Sequence, residues 1–348
     1  MKKILLAILA TATLFTACSK DPINDETPLS GNLLVLNNGN WGGNDACITT
    51  YDVKTGVATA NAFQKANGKN LGDLGQDILA VGDEIYIAVN GSQLVFVTDK
   101  DLKIKKTIVA ETDGVKLSPR NLAKGNNKIY VTYYEGYLGE IDPAKDYTVR
   151  TVKVGANPEG VAFSNGKVYV ANSGGMNYPN YDNTVSVVSA STFKVESTVE
   201  VNVNPARVIA DGAGRIFVTS FGNYGDVPAK LQMIDGATGK VADLPYESVS
   251  SAALGADGKL YVLCGGYDEQ WNPLPGRVFV HGETAVPFVK DETTFPNAYS
   301  ISATTDGYIC IGCSDYINTG DVYIMNPDGT LKAKIDSQGL NPIAVISY

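Results

Sequence analysis

The chain has 348 residues, with 28 Lys and Arg against 37 Asp and Glu, and so a net charge of −9. An acidic chain without a basic block argues against nucleic acid or anionic lipid as a partner held by charge. Five cysteines are too few for a disulfide-dependent scaffold of this length.

The first predicted element is a targeting segment. Lys2 and Lys3 make a positive n-region, Ile4 to Phe15 is an apolar stretch too short to stay as a membrane helix, and Thr16-Ala17 put small residues before Cys18. Residues 1–17 are expected to be a secretory signal. Leu14-Phe15-Thr16-Ala17-Cys18 resembles a bacterial lipobox, bulky Phe15 being its departure from the pattern, and the resemblance makes Cys18 the lipidated residue. The alternative is an ordinary signal peptide with Cys18 incidental. Loss of residues 1–17 removes two lysines, leaving 26 basic against 37 acidic residues and a mature charge of −11. No later apolar run reaches the ~20 residues that a membrane helix needs, so an acyl group on Cys18 is expected to be the sole bilayer anchor. Residues 18–30 read as a hydrophilic tether. Its start, Ser19-Lys20-Asp21, is similar to the short charged tag that sends some Gram-negative lipoproteins to the outer face of the outer membrane. The expected location is therefore the outer membrane, lipid-anchored and exposed at the cell surface.

Residues 31–348 read as strands only. An apolar-aromatic-apolar triplet after a turn recurs as Ile85-Tyr86-Ile87, Ile129-Tyr130-Val131, Val168-Tyr169-Val170, Ile216-Phe217-Val218 and Leu260-Tyr261-Val262. Leu33-Leu34-Val35 and Ile309-Cys310-Ile311 complete seven copies with the aromatic replaced, at spacings of 39 to 52 residues. Such strand signals between Gly, Asn and Asp turns, at this period, specify propeller blades. The fourth unit shows four strands: Glu159–Ser164, Lys167–Asn172, Asn183–Ser189 and Lys194–Val201. Asn165-Gly166, Asp257-Gly258 and Asp306-Gly307 close first hairpins, where Gly accepts positive φ. The first unit has only Leu33–Asn38, Ile48–Val53 and Val57–Phe63, whereas Ile343–Ser347 follows the seventh with no unit of its own. The expected fold is all-β, a seven-bladed β-propeller with blade 1 closed by the C-terminal strand. Closure removes the edges of an open array, and a β-sandwich or β-helix would leave that last strand unplaced.

Gly166-Lys167-Val168-Tyr169-Val170-Ala171-Asn172, Asn183-Thr184-Val185-Ser186-Val187-Val188 and Val154-Gly155-Ala156-Asn157-Pro158 resemble the repeat of YVTN/YncE-type propellers, over essentially all of residues 31–348. Asn37-Asn38-Gly39-Asn40-Trp41, Leu71-Gly72-Asp73 and Ser314-Asp315-Tyr316 before Gly320-Asp321-Val322-Tyr323 are similar to a group of surface lipoproteins of Gram-negative gut anaerobes, often labelled surface-layer proteins. That resemblance implies capture of cobalamin at the cell surface and its delivery to a TonB-dependent outer-membrane transporter. The repeat is specific for fold and weak for ligand.

In a propeller the first and third hairpins lie on one face, and the second hairpins and crossovers on the other. Here the first face has tight turns, while the other carries Asn37–Cys47, Asn172–Asn183, Ser220–Lys230, Gly265–Arg277 and Ser314–Asp321. Long loops on a rigid scaffold are where binding resides. Trp41, Trp271, Tyr178, Tyr181, Phe221, Tyr224, Tyr267 and Tyr316 sit in them, interleaved with Asn40, Asn44 and other amides and carboxylates. Flat aromatics with amide partners suit a large neutral ligand, and a corrin ring or an oligosaccharide fits equally. The same aromatics also pack one another to order long loops. Trp41 and Trp271 are expected to line the site, and Arg120 and Arg207, in crossover loops near the channel, either donate to ligand oxygens or salt-bridge neighbouring blades. No catalytic residue, metal or cofactor is expected. The single histidine, His281, falls on the short-turn side. Cys310 and Cys313 point to opposite faces of their strand. A glycan- or peptide-binding module is the alternative reading, and a propeller lyase or lactonase, which needs histidines at a channel metal, ranks last.

Overall fold

Strand-forming triplets between tight turns give seven four-stranded antiparallel sheets in the computed structural model of the protein. The structure describes residues 32–267, 272–282 and 284–348. The signal segment, the tether with Cys18, and Trp271 lie outside the described residues.

Ring closure takes the expected form. Pro342–Ser347 is the innermost strand of blade 1 and pairs antiparallel with Asn32–Asn37, Leu33 facing Ser347 and Val35 facing Val345. Cys47–Asp52 and Val57–Thr59 complete that blade. In blade 4 the strands are Pro158–Ser164, Lys167–Asn172, Thr184–Ser189 and Lys194–Glu200, each bound within one residue of expectation.

The triplets explain how blades adhere. Strand residues alternate between faces, so the middle residue points one way and its flanks the other. Tyr86 of blade 2 packs with Ile129 and Val131 of blade 3, and Tyr130 of blade 3 with Val168 and Val170 of blade 4. Tyr169 meets Ile216 and Val218, Phe217 meets Leu260 and Val262, and Tyr261 meets Ile309 and Ile311. The ring closes where Cys310 meets Leu33 and Val35, and Leu34 meets Ile85 and Ile87. Seven apolar interfaces thus join seven blades. The two interfaces without a central aromatic are filled from elsewhere: Tyr51 and Tyr308 beside Cys310, Phe63 and Phe96 beside Leu34.

Phe63 corrects the reading of Val57–Phe63 as a strand. The strand ends at Thr59, and a helix spans Ala62–Asn67. Asn61 and Gly68 bracket it in left-handed conformations, φ 54° and 67°. Helical geometry turns Phe63 inward, where it is 1 % exposed and its ring centre lies 5.0 Å from that of Phe96. A short hairpin, Glu111–Thr112 with Val115–Lys116, stands outside the ring in the crossover to blade 3. Among the described residues no helix is long and apolar enough to cross a membrane.

Candidate ligand-binding site

Every inner strand enters the ring from the face bearing the long loops, and each carries a β-bulge at its entry. Pairing with the second strand leaves one residue in excess between Gly75 and Asp77, Pro119 and Leu122, Pro158 and Val161, and Pro205 and Arg207. The same excess lies between Val249 and Ser251, Ala298 and Ser300, and Pro342 and Ala344. A bulge bends its strand and re-aims a side chain. Here the bulged positions turn Gln76, Arg120, Glu159, Ser250 and Tyr299, and beside the bulge at Ala206 also Arg207, onto the channel mouth, lining a cavity of about 360 Å³. At Gly160 a Cβ would lie 2.6 Å from Ala206 O and Val208 N of the next inner strand, so only glycine fits there.

The charged groups at the mouth are unequally matched. Arg120 donates from Nε and Nη2 to the two carboxylate oxygens of Glu159, both at 2.8 Å, and its guanidinium lies 5.0 Å from the centre of the Tyr134 ring. Burial pushes the Glu159 carboxyl above its usual range, against the opposing pull of Arg120 and Arg207. Asp77 accepts the Leu122 N–H at 2.8 Å and the Ile78 N–H at 2.9 Å. Burial raises it too, with Arg207 the largest opposing influence. Arg207 is held by its backbone, whose N–H donates to Thr219 Oγ1 at 3.3 Å. Among the described residues its guanidinium is neither hydrogen-bonded nor ion-paired.

A larger cavity of about 640 Å³ opens beside the channel, between the second hairpins of blades 5, 6 and 7. Tyr224, Tyr267, Leu274, Tyr299 and Tyr316 are among its walls. Phe221, Tyr224, Ser250 and Tyr299 belong to both cavities, which adjoin along this shared wall as two lobes. Their rim is a train of rings. Tyr178 meets Tyr181 edge-on at 6.0 Å, Tyr181 meets Tyr224 edge-on at 6.1 Å, and Phe221 stacks on Tyr224 at 6.4 Å. Across the opening Tyr299 and Tyr316 meet edge-on at 5.6 Å. Burial foremost, then the hydroxyls of Tyr299, Tyr267 and Tyr224, push the Tyr316 phenol well above its ordinary range. Several phenols thus share one patch.

The residues singled out from sequence divide between this recess and other places. Tyr181, Arg120 and Arg207 line the channel lobe, Tyr267 and Tyr316 the aromatic lobe, and Tyr224 both. Tyr178 lines neither and supports Tyr181 from outside. Trp41, Asn40 and Asn44 lie on the same face, in the blade 1 loop, but line neither lobe; Trp41 is 81 % exposed. That loop is tied to itself and to blade 2. Asn40 N–H donates to Asp45 Oδ1 at 2.9 Å, Gly42 N–H to Asp73 Oδ1 at 3.0 Å, and the Asn44 carbonyl accepts from Asn70 Nδ2 at 3.3 Å. Asn40 and Asn44 therefore shape the turn through their backbones. Arg120 and Arg207 belong to the inner strands Pro119–Gly125 and Pro205–Ala210, not to the crossover loops expected for them. The stretch Gly265–Arg277 is also mostly strand, Leu260–Tyr267 and Pro273–Val280, because the blade 6 hairpin extends above its neighbours.

Tyr134, Tyr299, Gln76 and Ser250 were missed. The repeat signals such positions only in part: in four blades the inner strand opens with proline (Pro119, Pro158, Pro205, Pro342) and the one or two residues after it face the mouth, but Gln76, Ser250 and Tyr299 follow Gly75, Val249 and Ala298 instead, and Tyr134 follows a second strand, so the proline marks none of the four. His281 sits on the short-turn face, its N–H donating to the Leu260 carbonyl and its Nδ1 3.1 Å from the Tyr246 hydroxyl. Burial lowers its pKa. Cys310 and Cys313 belong to different blade interfaces, as their spacing requires. Burial holds the Cys313 thiol up at about 12.

No protein-family model and no curated protein matches the chain. Solved structures do. A quinonprotein alcohol dehydrogenase-like protein from Bacteroides thetaiotaomicron superposes with a TM-score of 0.65 at 14 % identity, covering 92 % of this chain and 78 % of that one. Hydrazine synthase of Kuenenia stuttgartiensis gives 0.62 at 18 %, covering 76 % and 86 %. The WD40 β-propeller domain of Doa1 gives 0.57 at 11 %, covering 82 % and 87 %. At these identities the likeness establishes the propeller fold, and with two of the three named as an enzyme or enzyme-like it does not choose between binding and turnover.

Proposed function

We propose that this chain is a ligand-capture lipoprotein, anchored at the cell surface through Cys18, that takes a corrinoid such as cobalamin into the two-lobed recess and passes it to a TonB-dependent outer-membrane transporter. The observation that carries the binding reading is the pair of adjoining lobes. Lobes of about 640 and 360 Å³ together admit a ligand of several rings. Tyrosine faces supply stacking area, and phenols, Gln76, Asn121 and Asn204 supply hydrogen bonds for a carboxamide fringe. Binding is favoured over turnover because the convergent groups are aromatics, amides and an arginine–glutamate pair, while the one histidine lies on the other face. The choice of corrinoid, the transporter and the surface location rest on the sequence resemblance.

Calorimetric titration with cyanocobalamin tests this. Truncating an aromatic hot spot costs ~1–3 kcal/mol or more, so Tyr224→Ala is expected to weaken binding about ten- to a hundredfold. Trp41→Ala, outside both lobes, is expected to bind as wild type does. Absence of heat with cyanocobalamin removes the cargo. If an oligosaccharide binds instead and Tyr224→Ala abolishes it, the recess is the site and the glycan reading holds. Loss in Trp41→Ala but not in Tyr224→Ala refutes the placement. For the anchor, Cys18→Ala is expected to leave the membrane fraction, and persistence there after a high-salt wash would refute lipidation as the attachment.

A further inference from the structure

The two lobes differ in chemistry. Both lobes have aromatic walls, Tyr224, Tyr267, Tyr299 and Tyr316 in the larger and Tyr134, Tyr181, Tyr224 and Tyr299 in the channel lobe, but only the channel lobe also carries charged side chains. Three charged groups, Arg120, Glu159 and Arg207, line the mouth, with Asp77 next to Gln76 on the blade 2 inner strand, and all but Arg207 have hydrogen-bond partners for their charge within the protein. Arg120 and Glu159 satisfy each other through two hydrogen bonds of 2.8 Å. The Asp77 oxygens both accept backbone N–H groups, and burial favours its neutral form. That leaves the Arg207 guanidinium, half-buried on the cavity wall, which attracts Asp77 and Glu159 through space but among the described residues makes no hydrogen bond or ion pair with its five donors. An arginine partly desolvated with no carboxylate in hydrogen-bonding reach is an unfavourable arrangement that a bound oxyanion relieves.

We infer that the channel mouth is the oxyanion end of the ligand site: Arg207 takes a phosphate, sulfonate or carboxylate borne by a ligand whose flat apolar body lies in the aromatic lobe. The inference rests on the ligand-binding reading above and narrows its ligand class to amphipathic anions. Tyr299, common to both lobes, marks the join between ring body and anionic group. Arg120, already engaged by Glu159, positions that carboxylate away from the incoming anion.

The test uses a matched pair of fluorescent probes, 8-anilinonaphthalene-1-sulfonate and its uncharged analogue N-phenyl-1-naphthylamine, titrated against wild type, Arg207→Gln and Arg207→Lys. A hydrogen-bonded charge pair in a partly desolvated site corresponds to about tenfold in affinity. Arg207→Gln is expected to weaken the sulfonate about tenfold and leave the neutral probe unchanged, with Arg207→Lys recovering part of the loss. In wild type, raising salt from about 0.05 M to about 0.5 M is expected to weaken the sulfonate alone. This arm stands even if a variant misfolds. Equal sulfonate binding by wild type and Arg207→Gln, or salt-independent sulfonate binding, overturns the anchor, as does failure of the sulfonate to bind. Cyanocobalamin separates the two readings. If the sulfonate discriminates but cyanocobalamin does not bind, the anchor stands and the cargo falls; if cyanocobalamin binds but the sulfonate does not discriminate, the reverse holds.

Discussion

Replacing Phe63 by alanine probes the one place where a helix substitutes for strand packing. The ring is 1 % exposed and contacts Phe96 at 5.0 Å, in the only blade interface besides that of Cys310 without a triplet aromatic. Phe→Ala in a core costs ~3–5 kcal/mol, the upper part of the range applying where the surroundings cannot collapse into the void. Here they are pinned. Asn67 Nδ2 donates to the Leu102 carbonyl at 2.8 Å and its Oδ1 accepts the Ile104 N–H at 3.0 Å, fastening the helix to blade 2 independently of Phe63. In a chain this long, 1 kcal/mol moves Tm by roughly 1–2 °C, so the expected loss is roughly 5–8 °C. Phe63→Leu is expected to lose about a third as much. Adding Asn67→Ala to Phe63→Ala frees the helix to close the gap, so the double variant is expected to lose less than the sum of the singles. Thermal melts followed by circular dichroism measure wild type, the three single variants and the double variant. A Phe63→Ala protein melting within about 2 °C of wild type would refute the claim that this ring holds blades 1 and 2 together.

Two further outcomes follow from the fold. Deleting residues 340–348 removes the inner strand of blade 1 and exposes the backbone edge of Asn32–Asn37 and the fully buried Leu34 and Leu36, so aggregation or loss of a cooperative melt is expected; an unchanged cooperative transition would sink the closure argument. Acidification is expected to destabilise the turns. Backbone N–H donors, Thr55, Thr238 and Asn318 foremost, hold the carboxyls of Asp52, Asp235 and Asp315 below their ordinary values, Asp315 at about 2. Depressed folded pKa values mean that the stabilisation is complete above the unfolded value of about 4 and drains away toward pH ~2. A Tm that is level across that interval would contradict these turn assignments.

Much of the architecture was legible before any coordinates. Period-2 alternation is a local property, and an aromatic between two aliphatic residues can bury both faces only in a sheet packed on both sides; this identified the second strand of five blades, and the spacing of the repeat supplied those of blades 1 and 7, where Leu34 and Cys310 replace the aromatic. Counting then exposed the three-strand first unit and the spare Ile343–Ser347, and closure followed because an unpaired edge is costly. Cys310 and Cys313 fell into separate interfaces for the same parity reason.

What only the tertiary structure decided is where side chains converge. A β-bulge is one extra residue, invisible in a hydrophobic pattern, yet it reverses which face every later side chain takes. Seven of them at equivalent positions aim Arg207, Glu159 and Tyr299 into the mouth, and no local periodicity separates those residues from ordinary strand positions. The helical turn that carries Phe63 fills the space beside Leu34, which no triplet aromatic fills, and that space is bounded by residues of blade 2. The aromatic loops divide on the same principle. Trp41 and Tyr224 look alike as sequence, an aromatic among Asn and Gly, but Asp45 and Asp73 hold the first loop outside the recess, while Tyr181 and Phe221 seat Tyr224 within it. The long-range contacts that lean a loop inward or outward come from residues far along the chain, and only the folded ring brings them together.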